Sequence, residues 1–160
     1  MTKEQLMPFC YKGELRPNIT QPWTRNRRTN ATDGRILVRV PLVGTVPENE
    51  AAPNVENVWM EFKPDAAFIP LPELPPPVEQ TCPECGGNGI SGGCECEECE
   101  GGIISETIKV KIGERLLSVR YLRLIAALPN PVVATDGDGM TPMSFKFDGG
   151  GEGLLMPMRE

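Results

Sequence analysis

Residues 108–158 change hydrophobic period twice, and that leaves few folds open. Ile108, Val110 and Ile112 alternate with Lys109 and Lys111, the two-residue period of a half-buried strand. Over residues 114–128 the apolar positions Leu117, Tyr121, Leu124, Ile125 and Leu128 take helical spacing. Pro129-Asn130-Pro131 stops that helix, because proline lacks a backbone N–H and restricts the residue before it. Three strand-like runs follow at 132–135, 143–147 and 153–158, with glycine-rich turns between them. The expected unit is β-α-β-β-β, an α+β arrangement.

The rest of the chain reads less sharply. Residues 2–12 suit a short helix with Leu6, Met7 and Phe9 inward, limited by Pro8. Residues 18–24 suit a strand before a loop at 25–28, and Asp33-Gly34 is a hairpin turn. Residues 44–57 are polar and proline-broken, a loop, and 58–62 alternate as a strand with Trp59 at its rim. Phe68-Ile69-Pro70-Leu71-Pro72 runs on to Pro75-Pro76-Pro77, the composition of a semi-rigid spacer.

Two Cys-x-x-Cys pairs, Cys82/Cys85 and Cys96/Cys99, stand ten residues apart. Each pair places two thiolates on one tight turn, and two such knuckles complete a tetrahedral Zn²⁺ site. Cys94 offers an alternative sulfur, although the paired spacing favours Cys96, while Cys10 reads as a small buried apolar residue. The first knuckle, Cys82-Pro83-Glu84-Cys85-Gly86-Gly87-Asn88-Gly89, resembles the zinc repeat of J-domain chaperones; the second departs from it at Ile103. Glu84, Glu95, Glu97, Glu98 and Glu100 surround the thiolates, so this segment suits a protein contact better than a DNA contact. Zinc would staple a hairpin too small to bury a core, dock a partner, or do both.

The net charge of −6 conceals segregation. Arg25, Arg27, Arg28, Arg35 and Arg39 face one acid, Asp33, and Lys109, Lys111, Arg115, Arg120 and Arg123 face Glu114. Histidine is absent, which removes Ser-His-Asp and Cys-His catalysis, and the expectation is a protein that is not an enzyme. Asp136-Gly137-Asp138-Gly139 suggests a calcium loop, but Phe147 stands where such a loop needs glutamate. The first ten residues lack the apolar stretch of a signal peptide, and no apolar run approaches a membrane span. A cytoplasmic location with reduced cysteines is expected.

Arg120-Tyr121-Leu122 opening a helix, Thr141-Pro142, and the closing Leu154-Leu155-Met156-Pro157-Met158-Arg159 follow a known order. That order resembles the end of the bacterial DNA polymerase III beta sliding clamp. Leu15-Arg16-Pro17 and Ala31-Thr32-Asp33-Gly34 resemble segments of the same family, and ATDG recurs at 134–137, as two similar halves would allow. The resemblance implies one clamp-like domain of two βαβββ-type halves, at 1–78 and 103–160, interrupted by a zinc insertion at 79–102. It implies double-stranded DNA held without base readout by Arg25, Arg27, Arg28, Lys109, Lys111, Arg120 and Arg123. It also implies a pocket at Leu155, Met156, Pro157, Met158 and Arg159 for clamp-binding peptides of replication proteins. The family carries three such domains per chain, so a ring here requires self-association, for example as a homohexamer. The expected function is a sliding-clamp-like replication accessory, a processivity factor encoded by a phage or mobile element. The alternative is a zinc-dependent adaptor that binds protein machinery without encircling DNA.

Overall fold

Strands form where an alternating segment finds a partner edge, and seven segments find one another in a single sheet. The computed structural model describes residues 1–76, 79–96, 98–105 and 108–159; Pro77 and Glu97, named above, lie outside these. In chain order the elements are α1 (Lys3–Leu6), 3₁₀ turns at Met7–Phe9 and Pro17–Ile19, β1 (Trp23–Arg25), β2 (Arg28–Thr32), β3 (Ile36–Pro41), α2 (Glu56–Trp59) and β4 (Phe68–Pro70). Then come β5 (Glu79–Thr81), β6 (Ile90–Ser91), β7 (Cys94–Glu95) and β8 (Ile103–Ser105). The C-terminal part holds β9 (Lys109–Ile112), β10 (Arg115–Ser118), α3 (Val119–Ala126), β11 (Val132–Ala134), β12 (Met143–Phe147) and β13 (Gly151–Leu155). The large sheet runs β1-β2-β3-β13-β12-β11-β4, and every neighbouring pair is antiparallel. Two-stranded ladders join β9 to β10, β5 to β8 and β6 to β7. The protein is α+β, with strands predominating.

Alternation along the strands gives the sheet two buried faces. On one, Ile36, Val38, Val40, Phe145, Phe147 and Leu155 meet Leu122 and Ile125 of α3, Ile112 and Leu117 of the β9–β10 hairpin, and Leu6 and Phe9. Burying Leu122 and Ile125 fully contributes about 1.5–3 kcal/mol each. On the other, Trp23 and Leu37 pack against Ile19, Ala52 and Val55. Gly151 and Gly153 of β13 stand opposite Phe147 and Phe145 of β12, and a Cβ at either glycine would run into the facing ring. Missing side chains there let two stacked phenylalanines, 6.4 Å between centroids, lie flat on the sheet.

Several expectations need correction. The helix begins at Val119, not at Glu114. Gly113 takes φ +61, which turns the chain so that residues 115–118 pair back onto β9. Leu117 is buried in either arrangement, which is why the helical period did not betray the strand. Arg115 settles the matter: it is 3% exposed and donates to the Thr141 and Asp136 carbonyls, both at 2.7 Å, and to the Thr141 hydroxyl at 3.0 Å. Residues 58–62 are not a strand; the Asn54 carboxamide accepts the Glu56 N–H at 3.1 Å and one helical turn follows. Trp59 lies edge-on to Phe62 and under the Arg39 guanidinium, 4.9 Å from its ring, rather than at a rim. Before β1 the chain makes a 3₁₀ turn where a strand from residue 18 was expected. Met7 points outward while Leu6 and Phe9 are buried. Phe68–Pro70, expected as the start of a spacer, is an edge strand on β11, where proline's missing donor is tolerated.

Two βαβββ-type halves are not what forms. From β9 onward the chain reads ββαβββ, and the described residues before 77 hold only one-turn α-helices, of four residues each. The repeated ATDG shares two features between its copies. Ala31 and Ala134 are buried near strand ends, and the glycines, at φ +96 and +101, each lie against an arginine, Arg16 or Arg115.

Gly153→Ala forces the Phe145 ring off the sheet and should cost about 1–3 kcal/mol in urea unfolding. Gly44→Ala, with open space around its Cβ, should cost less than about 0.5 kcal/mol. Equal effects would show that ring seating is not the constraint.

Candidate metal centre

Two turns and a short ladder bring the cysteines together. β5 and β8 pair at the base of the hairpin, and the Cys82 N–H donates to the Gly102 carbonyl at 2.8 Å. The Cys96 N–H likewise donates to the Gly89 carbonyl at 2.8 Å, so each knuckle is tied to the glycines of the other. A Cβ at Gly102 would run into the Gly87 carbonyl, which leaves glycine as the residue that fits this crossing. The Sγ atoms of Cys82, Cys85, Cys96 and Cys99 lie within 4.8 Å of one another. Contacts between the knuckles include Cys85 to Cys99 at 3.6 Å and Cys82 to Cys96 at 3.9 Å.

All six cysteines are free thiols, and these separations are far beyond a disulfide bond of about 2.05 Å. Metal–sulfur bonds of about 2.3 Å in a tetrahedron place sulfurs about 3.8 Å apart, so the four donors fit an ion such as Zn²⁺. Cys82, Cys85 and Cys96 are buried and Cys99 is partly so. Cys94 is exposed on β7, at the hairpin tip, outside the cluster. The choice of sulfur left open by the spacing therefore falls on Cys96.

Proton affinities within the cluster are split. Burial pushes the Cys85 thiol up, but the N–H groups of Gly87 and Gly89 and the Cys99 sulfur outweigh it and bring it down to about 7. Burial and the Cys85 sulfur push Cys99 up to about 12. The Glu98 N–H draws Cys96 down, yet burial and the Cys82 and Cys85 sulfurs raise it overall. Adjacent thiols resist ionising together, and a bound cation removes that conflict. Cys10 stands apart: burial pushes it up to about 12, and its thiol donates to the Leu6 carbonyl.

The other expected site residues are dispersed. Arg25, Arg27 and Arg28 lie at the β1–β2 turn, on the sheet's edge, and Arg28 reaches Glu152 at 4.0 Å. Lys109 and Lys111 are exposed on β9, and Lys111 pairs with Glu114 at 3.9 Å. On α3, Arg120 is exposed, whereas Arg123 donates to the Pro75 carbonyl at 2.8 Å and so is spent on the proline segment. Leu155 cannot line an open pocket: it is fully buried in β13, between β3 and β12. Met156 and Arg159 are exposed, Pro157 and Met158 are half-buried, and the Met158 N–H donates to the Leu116 carbonyl of β10 at 2.7 Å.

Sequence reasoning missed the structural work of Arg115, whose guanidinium occupies the Asp136 and Thr141 carbonyls in the DGDG loop. It also missed the Tyr121 hydroxyl donating to Asp33 at 2.6 Å, a contact across 88 residues that no local signal announces. Among the described residues no helix is long and apolar enough to cross a membrane. No family model, curated protein or solved structure matches the chain.

With metal bound, Cys94 should be the one cysteine that a maleimide labels rapidly. Chelation should open Cys82, Cys85, Cys96 and Cys99 as well, while Cys10 waits for unfolding. Adducts located by mass spectrometry check this, and rapid labelling of Cys82 in the metal-loaded protein would rule the cluster out as a metal centre.

Proposed function

We propose that the chain acts by binding, as a zinc-dependent adaptor whose cysteine hairpin docks on a protein partner. The observation that supports this reading is the cluster itself, four sulfurs within 4.8 Å in a segment of glycine and glutamate. Among the described residues its only apolar companion beyond the cysteines is Ile104, so little else can order the hairpin, and a metal would supply the folding energy. Cys82, Cys85, Cys96 and Cys99 would hold Zn²⁺ with no coordination position left over, which is structural rather than catalytic zinc chemistry. Ile90 and Ile103 are exposed beside the exposed Glu84, Glu95, Glu98 and Glu100. That surface suits a partner presenting basic and apolar side chains together.

Elemental analysis should find one Zn²⁺ per chain. Cys96→Ser should lose it, Cys94→Ser should keep it, and Gly102→Ala should weaken zinc affinity roughly tenfold by displacing the Gly87 carbonyl. A wild-type protein purified without zinc, and unable to take it up, would end this reading.

A second reading has one observation in its favour. Arg120-Tyr121-Leu122 falls at the start of α3, three sheet strands follow, and residues 156–159 come directly after β13. This is the order that the sliding-clamp resemblance implies, and it supports a cytoplasmic replication accessory of phage or mobile-element origin that closes a ring by self-association around DNA. Native mass spectrometry distinguishes the two readings. A closed hexamer that retains a DNA duplex supports the clamp, and a monomer or dimer without DNA leaves the adaptor.

A further inference from the structure

Three cations and a single acid line a cavity beside the β2–β3 turn, which leaves positive charge in excess. The cavity, of about 210 Å³, is lined by Lys12, Arg35, Arg120 and Tyr121, with Pro8 and Leu124 as apolar wall. Arg16 stands close by, its guanidinium against Gly34 in the turn. Asp33 is the acid in this wall; it keeps its charge, but its oxygens are held by neutral donors and it offsets only one of the cations. Its Oδ1 accepts the N–H groups of Arg35 and Ile36 at 2.8 and 3.1 Å, and its Oδ2 accepts the Tyr121 hydroxyl at 2.6 Å. Among the described residues the ion pairs are Arg28–Glu152, Arg39–Glu56 and Lys111–Glu114, and none involves these four cations.

Tyrosine rings hold two of the guanidiniums. Arg16 lies 6.0 Å from the Tyr11 ring centre and Arg120 lies 5.9 Å from that of Tyr121. Such contacts orient a cation without neutralising it. Like charges around a small concavity repel, and a multiply charged anion relieves that repulsion. Guanidinium forks match the oxygens of a tetrahedral anion, and Lys12 adds a point charge. We propose that this cavity seats a phosphate group, presented by a small phosphorylated molecule or by a nucleic-acid backbone. It shares no residue with the cysteine cluster, so the site stands whether or not zinc binds.

The test is calorimetric titration of the full chain at fixed ionic strength with inorganic phosphate, a 5′-mononucleotide and a short DNA duplex. Saturable binding is expected. It should weaken by about tenfold or more when Arg35→Gln and Arg120→Gln are combined. Asp33→Asn should strengthen it roughly threefold, since it removes a negative charge yet keeps the Oδ1 acceptor of the turn. Lys111→Gln, whose ammonium pairs with Glu114 outside the cavity, should leave it unchanged. Arg35 and Arg120 are exposed, and circular dichroism verifies that their variants fold. A mononucleotide that binds where the duplex does not points to a small phosphorylated ligand; a duplex displaced by free phosphate points to a backbone. Absence of saturable binding for every probe, or an equal loss in Lys111→Gln, overturns the proposal.

Discussion

The pairing of β3 with β13 is the contact on which the rest of the fold depends. Ile36 sits opposite Leu155, Leu37 opposite Leu154, Val38 opposite Gly153 and Arg39 opposite Glu152. These residues are more than a hundred positions apart, so the pairing must recover a large loop-closure entropy before it stabilises anything. It does so by serving both faces at once. Val38 and Leu155 enter the core under α3, while Leu37 packs with Trp23 on the opposite side. The ladder continues past the strand, since the Met156 N–H donates to the Arg35 carbonyl at 2.9 Å. It thereby brings the β2–β3 turn to the base of α3, where Tyr121 meets Asp33.

Against that background the cysteine hairpin looks dispensable for folding the sheet, and magnitudes say why. The connection from β4 to β11 holds roughly 60 residues, and roughly 35 once the hairpin is tied at its base. That shortening saves only about 0.5 kcal/mol of closure entropy. Closing the hairpin therefore contributes little to the stability of the sheet. The hairpin has its own small cluster, apart from the two cores of the sheet. Removing a metal held there should therefore disorder the hairpin while leaving the long-range ladders in place.

What the sequence disclosed divides along the range of the interaction involved. The cysteine knuckles were legible because spacing, glycine and thiol chemistry all lie within eighteen consecutive residues, from Cys82 to Cys99. The three closing strands and the end of α3 were legible for the same reason, since each carries its own period and its own turn. Residues 115–118 misled because Leu117 satisfies either period, and the decisive partner of Arg115 is Thr141, 26 residues away. Residues 58–62 misled because a five-residue alternation is too short to outweigh a helical turn opened by Asn54. Leu155 misled because no local signal reveals that β13 lies in the middle of the sheet; only its pairing with β3 does.

Charge shows the same division. The sum of −6 describes neither end of the molecule's behaviour. Around the hairpin, Glu84, Glu95, Glu98 and Glu100 are exposed, and four thiolates there would be only half neutralised by a divalent ion, so anions would be repelled. Around the β2–β3 turn Asp33, held by three neutral donors, offsets one charge of Lys12, Arg16, Arg35 and Arg120, and the excess attracts anions. Of the seven cations first assigned to DNA, only Arg120 belongs to that set; Arg28 and Lys111 have acid partners and Arg123 a carbonyl. Lys12 and Arg16 are separated from Arg120 by about a hundred residues of chain, and it is the β3–β13 ladder that closes the distance. A basic site assembled this way cannot appear as a run of charges in sequence, and a site that does appear as a run, such as Arg25, Arg27 and Arg28, need not converge on anything.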